Sequence, residues 1–146
     1  MNRIFASIII TVAACTAAMA QEAKPQIGEW YCFDPSKEDA RDVQFIGETW
    51  RVNNINIKDG SSPLLSNPAV VFSASIANRS ETTLETSIEV LGLDGETPVF
   101  AISARPIFPT VNANSSTEAQ GHALSEKGTL KKATKICIRA IAFAQK

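Results

Sequence analysis

His122 is the one histidine of the chain and sits in Gly121-His122-Ala123. Triad or acid–base chemistry would need a serine and a carboxylate beside it, yet no Gly-x-Ser-x-Gly elbow or other local nucleophile signature occurs. A surface or half-buried histidine is the expected role, and a hydrolase around His122 ranks third among the functional readings. The 15 acidic residues could furnish many glycosidase-like pairs, so their number selects none. Gly-rich phosphate loops, EF-hand spacings and histidine pairs are absent. No catalytic residue, metal site or cofactor is assigned.

The three cysteines divide by position. Cys15 lies in a start with Arg3, an apolar run over 4–14 and small residues at Ala18 and Ala20, the layout of an export signal. Cleavage after Ala20 makes 1–20 a signal peptide and Gln21 the first mature residue. Val12-Ala13-Ala14-Cys15 offers a second reading, a lipobox that would leave a lipoprotein anchored through Cys15. Cleavage is preferred because the Ala-Met-Ala site is well placed. The mature chain then has 126 residues and keeps only Cys32 and Cys137, which an oxidising periplasmic or secretory compartment would pair. The loop closed between them, about a hundred residues, is worth roughly 4 to 5 kcal/mol of chain entropy. Two cysteines and a lone histidine lack zinc-site spacing, and no later stretch is apolar for long enough to form a transmembrane helix.

Net charge is -1, from 14 basic and 15 acidic residues, and falls to -2 once Arg3 is removed with the signal. Such a balance argues against a nucleic-acid binder. Its order along the chain is uneven: residues 21–126 hold 7 basic and 15 acidic groups, whereas 127–146 hold six basic and none acidic. Lys131, Lys132, Lys135 and Arg139 thus form a candidate patch for an anionic surface or an acidic protein face. Solubilising lysines that guard a sheet edge are the preferred reading. Trp30, Tyr31 and Trp50 form a candidate ligand platform, although five of the nine mature aromatics crowd into 21 positions and read first as a satellite core. Asn78-Arg79-Ser80 and Asn114-Ser115-Ser116 match the N-glycosylation triplet and are taken as ordinary turns.

The elements that must position these residues read as strands. Residues 50–58 alternate with a slip at Asn53-Asn54 that predicts a bulge, and 59–63 supply turn formers. Over 69–78, Val70, Phe72, Ala74 and Ile76 share one face. A turn at 78–80 leads to 84–93, then Asp94-Gly95 predicts a type I′ hairpin returning through 98–104. Pro106 and Pro109 make 105–110 an edge or crossover. Residues 117–124 form a weak strand, and 135–143 a strong one, apolar on both sides and therefore interior or covered. Residues 21–46 form an N-terminal flap, with a short helix from Asp34 as N-cap and Pro35 at the first position. A Cys32–Cys137 bond would staple that flap onto the last strand.

Six or seven short strands over 47–146 argue for an all-β fold, a small immunoglobulin-like β-sandwich. From Trp50 onward, about two thirds of the chain resembles bacterial extracytoplasmic sandwich modules of the FxLYD type. The resemblance rests on the run from Val70-Val71-Phe72 to Asn78-Arg79-Ser80, on Leu84 to Val90 and on the Asp94-Gly95 hairpin. The signature that names that family is absent, and the resemblance implies architecture alone. The leading functional expectation is a non-enzymatic exported accessory protein that binds an envelope protein through its loops or an exposed edge strand. A glycan or small-molecule module using the N-terminal aromatics is the alternative.

Overall fold

The computed structural model of the protein describes residues 25–63 and 65–145. Residues 1–24, with the expected export signal and Cys15, and Lys146 lie outside the described residues. In chain order the strands are β1 (Trp30–Phe33), β2 (Phe45–Ile46), β3 (Trp50–Ser61), β4 (Pro68–Asn78), β5 (Leu84–Asp94), β6 (Thr97–Pro106), β7 (Thr110–Val111), β8 (Ser115–Leu124) and β9 (Lys135–Ala144). One layer runs β1-β9-β5-β6 and the other β8-β4-β3-β2. Every pairing is antiparallel.

The order matches an immunoglobulin-like sandwich. β3, β4 and β8 take the places of strands A, B and E, and β5 and β9 those of C and F. The edge beside β9, where such domains place their final strand, is filled here by N-terminal β1. β6 joins the layers: its residues 98–104 pair with β5, whereas Arg105 and Pro106 pair with Gln120 and Ala119 of β8. The two prolines explain the exit, since neither can donate to a continuing ladder. Ile107 and Phe108 bulge into solvent before β7 returns to β5.

Period-two alternation makes the core. Val70, Phe72, Ala74 and Ile76 of β4 are buried, as are Leu84, Thr86, Ile88 and Val90 of β5, while their neighbours, apart from the buried Ala69, are half-buried or exposed. The expected bulge lies between Asn53 and Asn56, with Asn54 at φ 52°. It resets the alternation so that both Val52 and Ile55 point inward.

Four expectations change. β3 runs on through Asp59-Gly60 to Ser61 because Ala69 and Pro68 continue its ladder, so the turn begins later. In the β5–β6 hairpin Asp94 pairs with Thr97, and the central residues are Gly95 and Glu96. Gly95 alone has positive φ, 59°, the requirement of a type II′ turn. No helix starts at Asp34; its carboxylate instead caps a turn through the Ser36 amide, and only a 3₁₀ turn at Ala40–Asp42 follows. Among residues 36–42 only Ala40 is apolar, so a helix there would have no face to bury. Finally, the segment pictured as a flap lies beside β9 in the sheet plane rather than over its face. It contributes β1 to one layer and β2 to the other.

Candidate functional site

Cys32 and Cys137 are directly opposed in the β1–β9 register and form a disulfide, with Cα atoms 4.0 Å apart. The bond fixes β1 at the edge of its layer, and Phe33, the next residue, turns inward to the core. From there the chain crosses to the other layer by the turn at residues 34–38 and the 3₁₀ turn at Ala40–Asp42. This crossing is held by local bonds. Asp34 accepts from the Ser36 amide and hydroxyl, Asp39 accepts from the Arg41 amide and guanidinium, and Tyr31 Oη donates to Glu38 Oε1 at 2.9 Å. Both aspartates are held at about 2, below the ordinary 3.8, Asp34 chiefly by the Ser36 hydroxyl and Asp39 chiefly by the Arg41 side chain.

The crossing leaves an opening in the side of the sandwich. β2 pairs only Arg51 and Val52 of the twelve-residue β3, so the outer backbone edge of β3 beyond the bulge has no strand beside it among the described residues. Two 3₁₀ turns flank this edge without pairing it. One is Ala40–Asp42; the other, Thr129–Lys132, touches it where the Leu130 amide donates to Asp59 Oδ1 at 3.3 Å. Between them lies a cavity of about 560 Å³ with Phe33, Ile57, Leu130 and Ile136 as its apolar floor. Lys37, Glu38, Asp39 and Arg41 supply a charged rim, and Asn56 and Ile57 present the strand edge itself.

The residues singled out from the sequence are scattered. Trp30 is 45% exposed and lies under the Arg139 guanidinium, 4.8 Å from its ring centroid. Tyr31 points to the opposite side of β1, where it stacks with Phe33 at 6.2 Å. Trp50 is 4% exposed in the other layer. The three rings therefore share no face and make no common platform. Alternation explains the first separation, since Trp30 and Tyr31 are strand neighbours.

The basic segment is likewise divided. Arg139 Nε donates to Glu89 Oε2 at 3.0 Å, and Lys132 pairs with Glu126 at 3.1 Å. Lys131 and Lys135 make no ion pair among the described residues. Lys135 and Arg139 do share the outer face of β9, as the regular strand requires.

His122 Nε2 lies 3.2 Å from Ser62 Oγ, an approach across 60 residues that no local motif announces. Ser62 is itself buried, and no carboxylate hydrogen-bonds His122 among the described residues. The pair therefore lacks the orienting acid of a triad. No group of three His, Cys, Asp or Glu side chains among the described residues is placed to hold a metal ion.

No family model matches the chain, and no curated protein matches it. Among solved structures, the chain is similar to an uncharacterized β-sandwich protein from Clostridium difficile 630, at 12% identity and a TM-score of 0.41. The alignment covers 85% of this chain and 95% of that one.

Proposed function

We propose that the protein is a non-enzymatic exported accessory protein that binds an envelope protein at the open edge of β3. The supporting observation is the coincidence of an unpaired strand edge at Asn56 and Ile57 with a 560 Å³ cavity floored by core side chains. An extended segment of a partner pairs its backbone with this edge and sets one apolar side chain against Ile57, Leu130 and Ile136. Backbone pairing supplies affinity and the cavity selects the side chain. The rim carries both signs of charge, which favours a partner segment with polar residues flanking its apolar anchor. The export-signal layout of residues 1–20 and a disulfide suited to an oxidising compartment support the location. No helix among the described residues is long and apolar enough to cross a membrane.

The test is site-specific photo-crosslinking in the native envelope. A photoreactive residue at position 56 gives one defined protein adduct, and the same group at Ser103, on the outer face of the other layer, gives none. Leu130→Glu, which puts a charge in the cavity floor, removes the adduct without unfolding the domain. Equal adducts at both positions, or none at 56, would show that this edge is not the binding surface. Mass measurement of the mature N-terminus separates cleavage before Gln21 from lipidation of Cys15.

A further inference from the structure

The outer face of the β3-β4-β8 layer has a cross-section set by its sequence. The middle strand carries Val71, Ser73, Ser75 and Ala77 outward, all short and all half-buried. The strands on either side carry longer groups that stand exposed: Arg51, Asn56 and Lys58 on β3, and Glu118, Gln120 and His122 on β8. Short side chains between two taller rows make a trough along β4. From Lys58 to Arg51, opposite Val71 and Ala77, it runs about 20 Å at strand rise, and the Asn54 amide leans over it to donate to Ser75 Oγ at 3.3 Å. A cavity of about 350 Å³ opens into it between Asn56 and Lys58 on one wall and Gln120 and His122 on the other.

Its charge is out of keeping with the rest of the domain. Residues 21–126 contain 7 basic and 15 acidic groups, yet this face with its adjoining Arg105 gathers three of the basic ones, Arg51, Lys58 and Arg105, against Glu118, while Glu48 and Arg79 stand together beside its Arg51 end. None of the three cations makes an ion pair among the described residues. Arg105 extends the register row Asn56, Ser73 and Gln120, so an amide, a hydroxyl, a second amide and a guanidinium lie in line across four strands. Among the described residues the side chains of Asn56, Gln120 and Arg105 make no hydrogen bond, which leaves their polar groups for a ligand.

The geometry points to an acidic polysaccharide, a chain of uronate-type sugars, lying along β4. Both backbone edges of β4 are used by β3 and β8, so an incoming peptide would find no ladder to join. The floor of hydroxyls and small groups offers nothing to a lipid tail. Among the described residues no tryptophan, tyrosine or exposed phenylalanine lies on this face, which removes ring stacking as the binding force and leaves carboxylate-to-cation contacts with amide-to-hydroxyl bonds beside them. The trough shares Asn56 with the open edge of β3 and otherwise uses different residues, and neither proposal requires the other.

Retention of the mature protein on immobilised polygalacturonate, with dextran as the neutral polymer, tests the assignment. Wild-type protein binds the polyuronate and not dextran. Combined Arg51→Glu, Lys58→Glu and Arg105→Glu lowers affinity by about tenfold or more, whereas Lys131→Glu with Lys135→Glu leaves it unchanged. Asn56→Ala with Gln120→Ala, which keeps every charge, also weakens polyuronate binding, while circular dichroism reports an unaltered fold for each variant. Absence of binding by the wild type would overturn the proposal. So would equal binding to dextran, to dextran sulfate with no effect of the amide variant, or to anionic phospholipid vesicles with the same dependence on Arg51, Lys58 and Arg105.

Discussion

Asn78 is 0% exposed, and its side chain does the work of a missing strand. Its Nδ2 donates to the carbonyls of Thr82, Val111 and Asn112, and its Oδ1 accepts from the Ser80 amide and hydroxyl. The end of β4, the following turn and the end of β7 are thereby tied at one atom group. Asn78→Ala leaves buried carbonyls unpaired and is expected to cost about 1–3 kcal/mol or more, read by urea denaturation. The sequence marked this position only as a turn, because the partners that bury it lie 33 and 34 residues away. Thr86 is the opposite case: its Oγ1 is buried without a hydrogen-bond partner among the described residues. Thr86→Val removes that orphan and is expected to stabilise by about 1 kcal/mol in the same assay. Asp34 carries a pH prediction. Its folded pKa of about 2 lies below the ordinary 3.8, so its contribution is complete above 3.8 and is lost as pH falls through about 2. Ser36→Ala moves the Asp34 titration upward in an NMR pH series, since the hydroxyl is the main cause.

At the scale of elements, the long strands were legible and the short ones were not. Alternation in β4 and β5 shows in the sequence because each buries one face along its length, and β9 is marked instead by an apolar run on both sides. β1 and β2, with four and two residues, cannot express a period and owe their place to neighbours distant in sequence. The open edge of β3 was foreseen as a kind of feature but not located, since it depends on how little of β3 the two residues of β2 cover. Nothing in the alternation of β3 or β8 foretold the trough either; it requires knowing that β4 lies between them. Gly92 shows how register fixes a residue type. It faces Phe100 across the β5–β6 ladder, and a Cβ there would stand 2.1 Å from the Phe100 ring. Gly92→Ala must push that ring aside and is expected to cost about 1–3 kcal/mol. A lowered melting temperature with unchanged circular dichroism checks it.

At the scale of the molecule, the two layers are joined differently on their two sides. One side is closed by β6, which passes from β5 to β8 without leaving the sheet. The other is bridged but left partly open by the crossing of residues 34–44, anchored at one end by Cys32–Cys137 across 105 residues. Replacing both cysteines by serine is expected to lower stability by roughly 4–5 kcal/mol, with the fold retained at low temperature. Thermal melts of the oxidised protein and the double variant measure this directly. The same bond gives the domain a mechanical character. Force applied between its ends enters through β1 and leaves through β9, and the covalent ring from Cys32 to Cys137 holds all of β2 to β8 within it. A pull on the oxidised domain can lengthen only the short segments outside that ring, so it behaves as a nearly inextensible link. Reduction turns the same domain into a reserve of slack, and single-molecule extension should show the long release only when the disulfide has been opened.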